Sequence, residues 1–359
     1  MSYTNGLDNP ELYFQTKLYT GTGSSNAITL DGSENMQPDL VYIKSRNQSG
    51  YNPNFTDSVR GATKIIWSNR NTAENTYADS LTSFNSDGFT IGADTANGEQ
   101  NLSGESYVAW CWKAGTTGSG TTTGSGTGKA YSYSVNTTAG FSIVTYLGNG
   151  TEDHTIPHHL GVAPKMYIVK QRDGSDAWIT YHDGLGGADK YILLNTNAAV
   201  GTSNNPWGTV APTSSVNNLG SAGDTNGNGD SFIMYSFAEK KGYSKFGSYT
   251  GNGEADNGPY IYTGFKPAWL IVKRTDSADQ WIIVDNKRDT DNEMSHILRA
   301  DASNAEESSP SSYAFDFLSN GFKLKDDDGK INASSGAYIF MAFAEEPFVT
   351  STGIPTTAR

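Results

Sequence analysis

Short apolar blocks alternate along this chain with runs of Gly, Ser, Thr, Asn and Asp. In Gly140–Gly148, Phe141, Ile143 and Thr145 alternate with Ser142, Val144 and Tyr146, and a Gly-Asn-Gly then ends the run. Period two bounded by glycine predicts a strand followed by a turn. Tyr13–Tyr19 and Tyr243–Tyr249 have the same form. Three other blocks are apolar without alternation: Pro38-Asp-Leu-Val-Tyr-Ile-Lys44, Pro164-Lys-Met-Tyr-Ile-Val-Lys170 and Pro267-Ala-Trp-Leu-Ile-Val-Lys273. Each reads as a strand buried on both faces, its closing Lys marking the exit to solvent. Aromatic runs Tyr107–Trp112, Phe232–Phe237 and Tyr338–Phe343 complete the set.

The blocks recur in one order three times. A Gly-x-Gly (Gly21 and Gly23, Gly148 and Gly150, Gly251 and Gly253) precedes each Pro by 14 or 15 residues, and the aromatic run follows each Lys by 62 to 65. Self-similarity at fixed spacing sets the architecture and supplies an internal alignment. Turns Ser86-Asp-Gly-Phe89 and Ser319-Asn-Gly-Phe322 add a hairpin, with Asp or Asn next to Gly expected to carry the positive φ. The prediction is an all-β chain of three tandem β-sandwich modules, jelly-roll or lectin-like. Expected boundaries are an N-terminal arm 1–12, module 1 at 13–114, a linker 115–129, module 2 at 130–242, module 3 at 243–348 and a tail 349–359. Residues 115–128 hold only Gly, Ser and Thr, which predicts a flexible connector.

Composition sharpens this picture in two ways. A net charge of −13 argues against nucleic acid and anionic lipid as partners. No apolar run is long enough to span a membrane, and no secretory signal opens the chain, so synthesis in a cytoplasm is expected. The single cysteine leaves the fold to packing alone.

Candidate chemistry is sparse. Cys111 occupies a slot filled by Ser236 and Ala342 in the other copies, which marks a packing position. His154, His158 and His159 have no counterparts in the other copies and no further ligands to complete a metal set. Asp224, Asn226, Asn228 and Asp230 have the spacing of a calcium loop, but Tyr235 stands where the bidentate Glu belongs. An Asx-rich hairpin is the expectation there, with weak surface calcium the only cofactor entertained. Asp153 and Asp256 follow the Gly-x-Gly turns where the first copy has Asn26, a slot serving backbone geometry rather than glycoside hydrolysis. Glu239 and Glu345, after the last strands of modules 2 and 3, face Ala114 in module 1. Tyr51, Tyr77, Trp207 and Tyr260 lie in polar loop contexts and are the candidate binding residues, as exposed aromatics that recognise sugars or proteins.

Taken as a set, Tyr249-Thr-Gly-Asn-Gly253, Pro267 to Lys273, Asn320-Gly-Phe322 and Met341-Ala-Phe-Ala-Glu345 resemble repeat modules of marine tailed-bacteriophage virion proteins, found in tail, fibre and other particle-surface proteins. The likeness covers all but the arm, linker and tail. It implies a non-enzymatic virion protein displayed as a tail fibre or appendage that engages a host-surface glycan or protein. Other virion proteins would be its partners, and a homotrimer its assembly. A capsid-decorating (head fibre or cement) protein is the alternative, and a carbohydrate-active enzyme the third reading.

Overall fold

The computed structural model describes residues 7, 9–308 and 313–344. Residues 1–6 and 8 of the expected arm, the whole of the expected tail 349–359 and Glu345 lie outside the described residues. The fold is all-β, built of antiparallel sheets. In the first repeat a six-stranded sheet runs in the order Phe14–Thr20, Ser106–Trp112, Leu40–Ser45, Asn54–Asp57, Lys64–Trp67, Asn75–Thr76. A three-stranded sheet, Asn26–Ile28, Gly88–Ile91 and Leu81–Asn85, accompanies it. The third repeat has the same order, Ser244–Thr250, Ala337–Phe343, Trp269–Arg274, Ile282–Asp285, His296–Arg299, Glu307–Ser308, with Tyr260–Tyr262, Gly321–Leu324 and Phe315–Leu318 as its small sheet. In the second repeat the equivalent strands, from Phe141–Leu147 to Gly201–Thr202, are extended by Thr116–Thr121 and Ala130–Asn136 to eight.

The two-sided burial of the aromatic strands follows from their period. Tyr107, Ala109 and Cys111 pack with the first small sheet, whereas Val108, Trp110 and Trp112 face a different cluster. Phe232 and Met234 alternate with Ile233, Tyr235 and Phe237 in the same way, as do Tyr338, Phe340 and Ala342 with Ile339, Met341 and Phe343. One set closes each repeat's own core; the other three sets meet in a single core common to the whole chain.

Equivalent hydrogen bonds close the three repeats into a ring. The Glu74 amide donates to the Arg172 carbonyl (2.7 Å), Val200 to Thr275 (2.9 Å) and Glu306 to Arg46 (2.6 Å), linking first to second, second to third and third to first. Side chains run the reverse circuit: Trp178 Nε1 to the Trp67 carbonyl (2.9 Å), Trp281 Nε1 to Leu193 (2.9 Å) and Ser68 Oγ to Ala300 (2.6 Å). Three copies, three equivalent junctions and a shared core describe a pseudo-threefold arrangement within one chain.

Three expectations are corrected. The connector 115–129 is not a free linker: Thr116–Thr121 pairs with Ala130–Asn136, and Thr123–Gly124 pairs with His154–Pro157. Gly118 and Gly120 stand opposite Tyr133 and Tyr131, whose rings occupy the space a Cβ would fill, at 2.6 and 2.8 Å. The tyrosines supply the apolar cover that the glycines lack. Lys44, Lys170 and Lys273 do not exit to solvent; all three are 0 % exposed. Carbonyls take their amines, Ala302 for Lys44 (2.9 Å), Gln171 for Lys170 (2.6 Å) and Arg274 for Lys273 (2.7 Å). Finally, the positive φ of the first hairpin lies on Gly88 (105°) and not on Asp87. No helix among the described residues is long and apolar enough to cross a membrane.

Candidate recognition surface

The four aromatics singled out in the sequence occupy different environments. Trp207 is 0 % exposed, contrary to expectation. Its indole packs edge-on against Tyr167 at 4.7 Å and donates to the Lys190 carbonyl at 3.2 Å. The polar loop around it folds back over the second repeat's core, so local composition misreports its burial. Tyr51 and Tyr77 are half-buried, Tyr77 lying edge-on to Trp67 at 6.1 Å. Tyr260 is 45 % exposed and Tyr262 beside it 64 %, while Ile261 between them points into the third repeat's core. Tyr260 is held over Gly321 by hydrogen bonds from its hydroxyl to Asn320, at 2.6 Å to Oδ1. Of the four, Tyr260 presents the most open aromatic face, and its neighbour Tyr262 was not anticipated. Strand alternation about Ile261 is the signal that would have found it.

Within the calcium-like spacing, Asn226 is spent on the backbone. Asn226 is buried, and its amide donates to the carbonyls of Thr151 (2.9 Å) and Gly220 (2.8 Å) while its Oδ1 accepts from the Asn149 amide (2.9 Å). Those bonds leave its side-chain oxygen committed to the backbone. Its equivalents Asn101 and Asn332 do the same, accepting from Thr22 and Asn252 at 2.9 Å each. Each asparagine thereby ties the Gly-x-Gly turn to the segment that enters the aromatic strand. Gly21, Gly148 and Gly251 are required because a Cβ there would lie 2.1, 2.3 and 2.4 Å from the carbonyl oxygen of the residue after the asparagine. An Asn five residues before each aromatic strand is visible in all three copies and was the missed signal.

The remaining candidates hold separate structural posts. His154 bonds Asn149 (2.7 Å), His158 contacts the Thr213 carbonyl (3.1 Å), and His159 stacks on Tyr133 with ring centres 3.8 Å apart. Burial lowers the pKa of all three, that of His158 to about 4. Asp153 and Asp256 adopt φ of 63° and 60°, the left-handed conformation that a short polar side chain tolerates after a glycine turn. Glu239 pairs with Lys245 at 2.8 Å. Cys111 is buried in the first repeat's core. No cluster of three or more His, Cys, Asp or Glu able to hold a metal occurs among the described residues.

Buried charge is concentrated at the repeat junctions. Arg60 bridges Asp57 and Glu74 in the first repeat, and Arg288 bridges Asp285 and Glu306 in the third. Each Asp also receives a donor from a neighbouring repeat, Tyr235 Oη at 2.7 Å for Asp57 and Trp110 Nε1 at 3.1 Å for Asp285. In the second repeat these positions are His182, Leu185 and Val200, and His182 bonds the Phe340 carbonyl at 3.1 Å. One geometry is thus satisfied by an ionic and by a largely apolar set, as expected where desolvation offsets Coulombic gain.

No curated protein and no solved structure matches the chain. The model of a domain of unknown function (DUF7483) matches residues 9–347. With nearly the whole sequence covered by that match, the chain belongs to the DUF7483 family.

Proposed function

We propose that this protein is a structural component of a tailed-phage particle, displayed on its surface as a tail fibre or appendage that engages the host envelope. Its three repeats are read as three sandwich modules, each a large sheet faced by a small one. The observation that carries the reading is the closed pseudo-threefold ring, in which Arg46, Arg172 and Thr275 accept equivalent backbone bonds from the adjacent repeat. Such a ring suits an all-β display unit, and four of its acids hold structural posts. Asp57 and Asp285 are locked in arginine pairs, and Asp153 and Asp256 sit in turns. No catalytic role is assigned. The sequence resemblance to virion repeat modules supports the same placement.

The ring also supports a second reading, a capsid-decorating protein, because three quasi-equivalent faces suit a threefold site on a shell. In either role the inner faces are consumed within one chain, so a homotrimer would be built on outer surfaces. Quantitative mass spectrometry of purified virions, counting this chain against the major capsid protein, separates the readings. A few dozen copies or fewer per particle is the result expected of a tail appendage. A count in the hundreds would transfer the protein to the shell, and absence from the particle would overturn both.

A further inference from the structure

The buried asparagines give a common frame for comparing what stands two residues before them: Glu99, Asp224 and Lys330. In the first repeat the Glu99 carboxylate is satisfied by Asn52 Nδ2 and by Trp67 Nε1. In the third, Lys330 lies over the Tyr313 ring at 5.2 Å and beside Asp328 at 3.4 Å. The second repeat breaks this pattern. Strand register puts Leu193 where Trp67 stands and Ala177, which carries no side-chain donor, where Asn52 stands, with Trp178 beside it. The Trp178 indole is already spent on the Trp67 carbonyl. Both donors of the first repeat are therefore lost, and Asp224 Oδ1 is closed off from solvent with no hydrogen-bond partner. An acid satisfied by the chain in one copy thus has no donor from the chain in its equivalent, and the Asp224 side chain, only partly buried, is approached from the solvent side.

Asp224 lines an open groove of about 480 Å³ with Asp176, Tyr191, Ser203, Asn205 and Pro206. That volume falls within the range of small-molecule sites. Among the described residues no protein group bonds the side chains of Asp176, Tyr191 or Asn205. The Tyr191 ring is fixed, lying across Gly201, where a Cβ would meet it at 2.3 Å. Burial, with Asp176 adding to it, raises the Asp224 pKa, so the groove already resists a further negative charge.

We propose that this groove binds a neutral saccharide, whose hydroxyls donate to Asp224 and Asp176 and accept from the Asn205 amide while its apolar face lies on Tyr191. Carboxylates only accept, sugar hydroxyls donate in adjacent pairs, and an aromatic ring covers the C–H face of a pyranose. Phosphorylated and sialylated ligands are disfavoured by the two acids. Calcium needs six to eight oxygens, and the groove brings only two carboxylates. The inference deepens the host-engagement reading and rests on it, yet the two fail separately. The particle count tests where the protein sits, and the groove is tested on the purified chain.

The experiment is a printed array of neutral and acidic glycans probed with the full chain, followed by calorimetric titration of the best neutral saccharide and of calcium chloride alone. Asp224→Asn and Asn205→Ala accompany the wild type, the second at an exposed position that leaves the fold undisturbed. Retention of neutral glycans, with each substitution weakening affinity by at least about tenfold at unchanged melting temperature, is the expected result. The inference is overturned if no neutral glycan binds, or if binding is indifferent to both substitutions. It is likewise overturned if calcium alone titrates into the groove without sugar, or if the saccharide is hydrolysed, which would make the groove an active site.

Discussion

At the scale of single residues, the three buried lysines are where the chain departs furthest from ordinary chemistry. Burial, with Arg299 adding to it and Asp301 opposing, pushes the Lys44 amine from 10.5 down to about 7. Lys170 and Lys273 are pushed down to about 8, again chiefly by burial. Between about pH 7 and pH 10.5 the unfolded chain therefore holds protons that the folded chain has released. Stability must rise with pH through that window, and below it the cost of burying charged amines is felt in full. A shift of this size corresponds to an upper bound on the order of a few kcal/mol per lysine. Urea midpoints measured from pH 7 to pH 9 should climb in the wild type, and Lys44→Met should flatten the climb. An unaltered slope would mean that these amines reach water. Nothing local in the sequence distinguishes a lysine at a strand exit from one capped by another repeat's loop. Ala302, whose carbonyl receives the Lys44 amine, is more than 250 residues away.

At the scale of elements, the segment 115–129 separates composition from conformation. Its side chains bury little, so the sequence argues for disorder; its backbone nevertheless completes a ladder over Thr116–Thr121, and Tyr131 and Tyr133 roof the glycines. Hydrogen exchange should show protection of the ladder amides in this strand, where a flexible connector would exchange at the intrinsic rate. Tyr131→Ala combined with Tyr133→Ala should abolish that protection and open the strand to proteolysis. Free exchange in the wild type would restore the linker reading. Other elements were legible because their signal is local. The Pro-to-Lys strands, the aromatic strands and the glycine turns all fall where period and turn chemistry put them. The turn after each first strand needed one more observation, the buried Asn101, Asn226 and Asn332, whose role appears only once the loops they join are seen together. Trp207 was misread because a polar neighbourhood says nothing about what a loop folds onto, and the groove beside Asp224 was invisible because it depends on donors missing from distant strands.

At the scale of the molecule, the repeats predict copy number but not closure. Two-sided burial was expected of the Pro-to-Lys strands, and the aromatic runs, apolar but for Ser236, share it. That their second face meets the other two repeats, and not a further sheet of their own, was not expected. Trp112 concentrates the consequence. Its ring lies 5.0 Å from Phe14 in its own repeat, 6.4 Å from Phe237 in the second, and 5.5 and 5.8 Å from Trp269 and Phe343 in the third. A residue shared by all three repeats couples their stabilities, so the chain should unfold in one cooperative step despite a length that ordinarily accommodates two or three independent domains. Trp112→Ala removes a large side chain from a buried site, 2 % exposed, and should cost about 3–5 kcal/mol. Scanning calorimetry distinguishes two forms of that loss. If the ring is one unit, the single transition moves to lower temperature with calorimetric and van't Hoff enthalpies still equal. If the repeats are independent, only the first melts early and the trace splits. A split would leave the three cores intact but dissolve the ring on which the display reading depends, because separately melting repeats would be three modules on a string rather than one rigid threefold body.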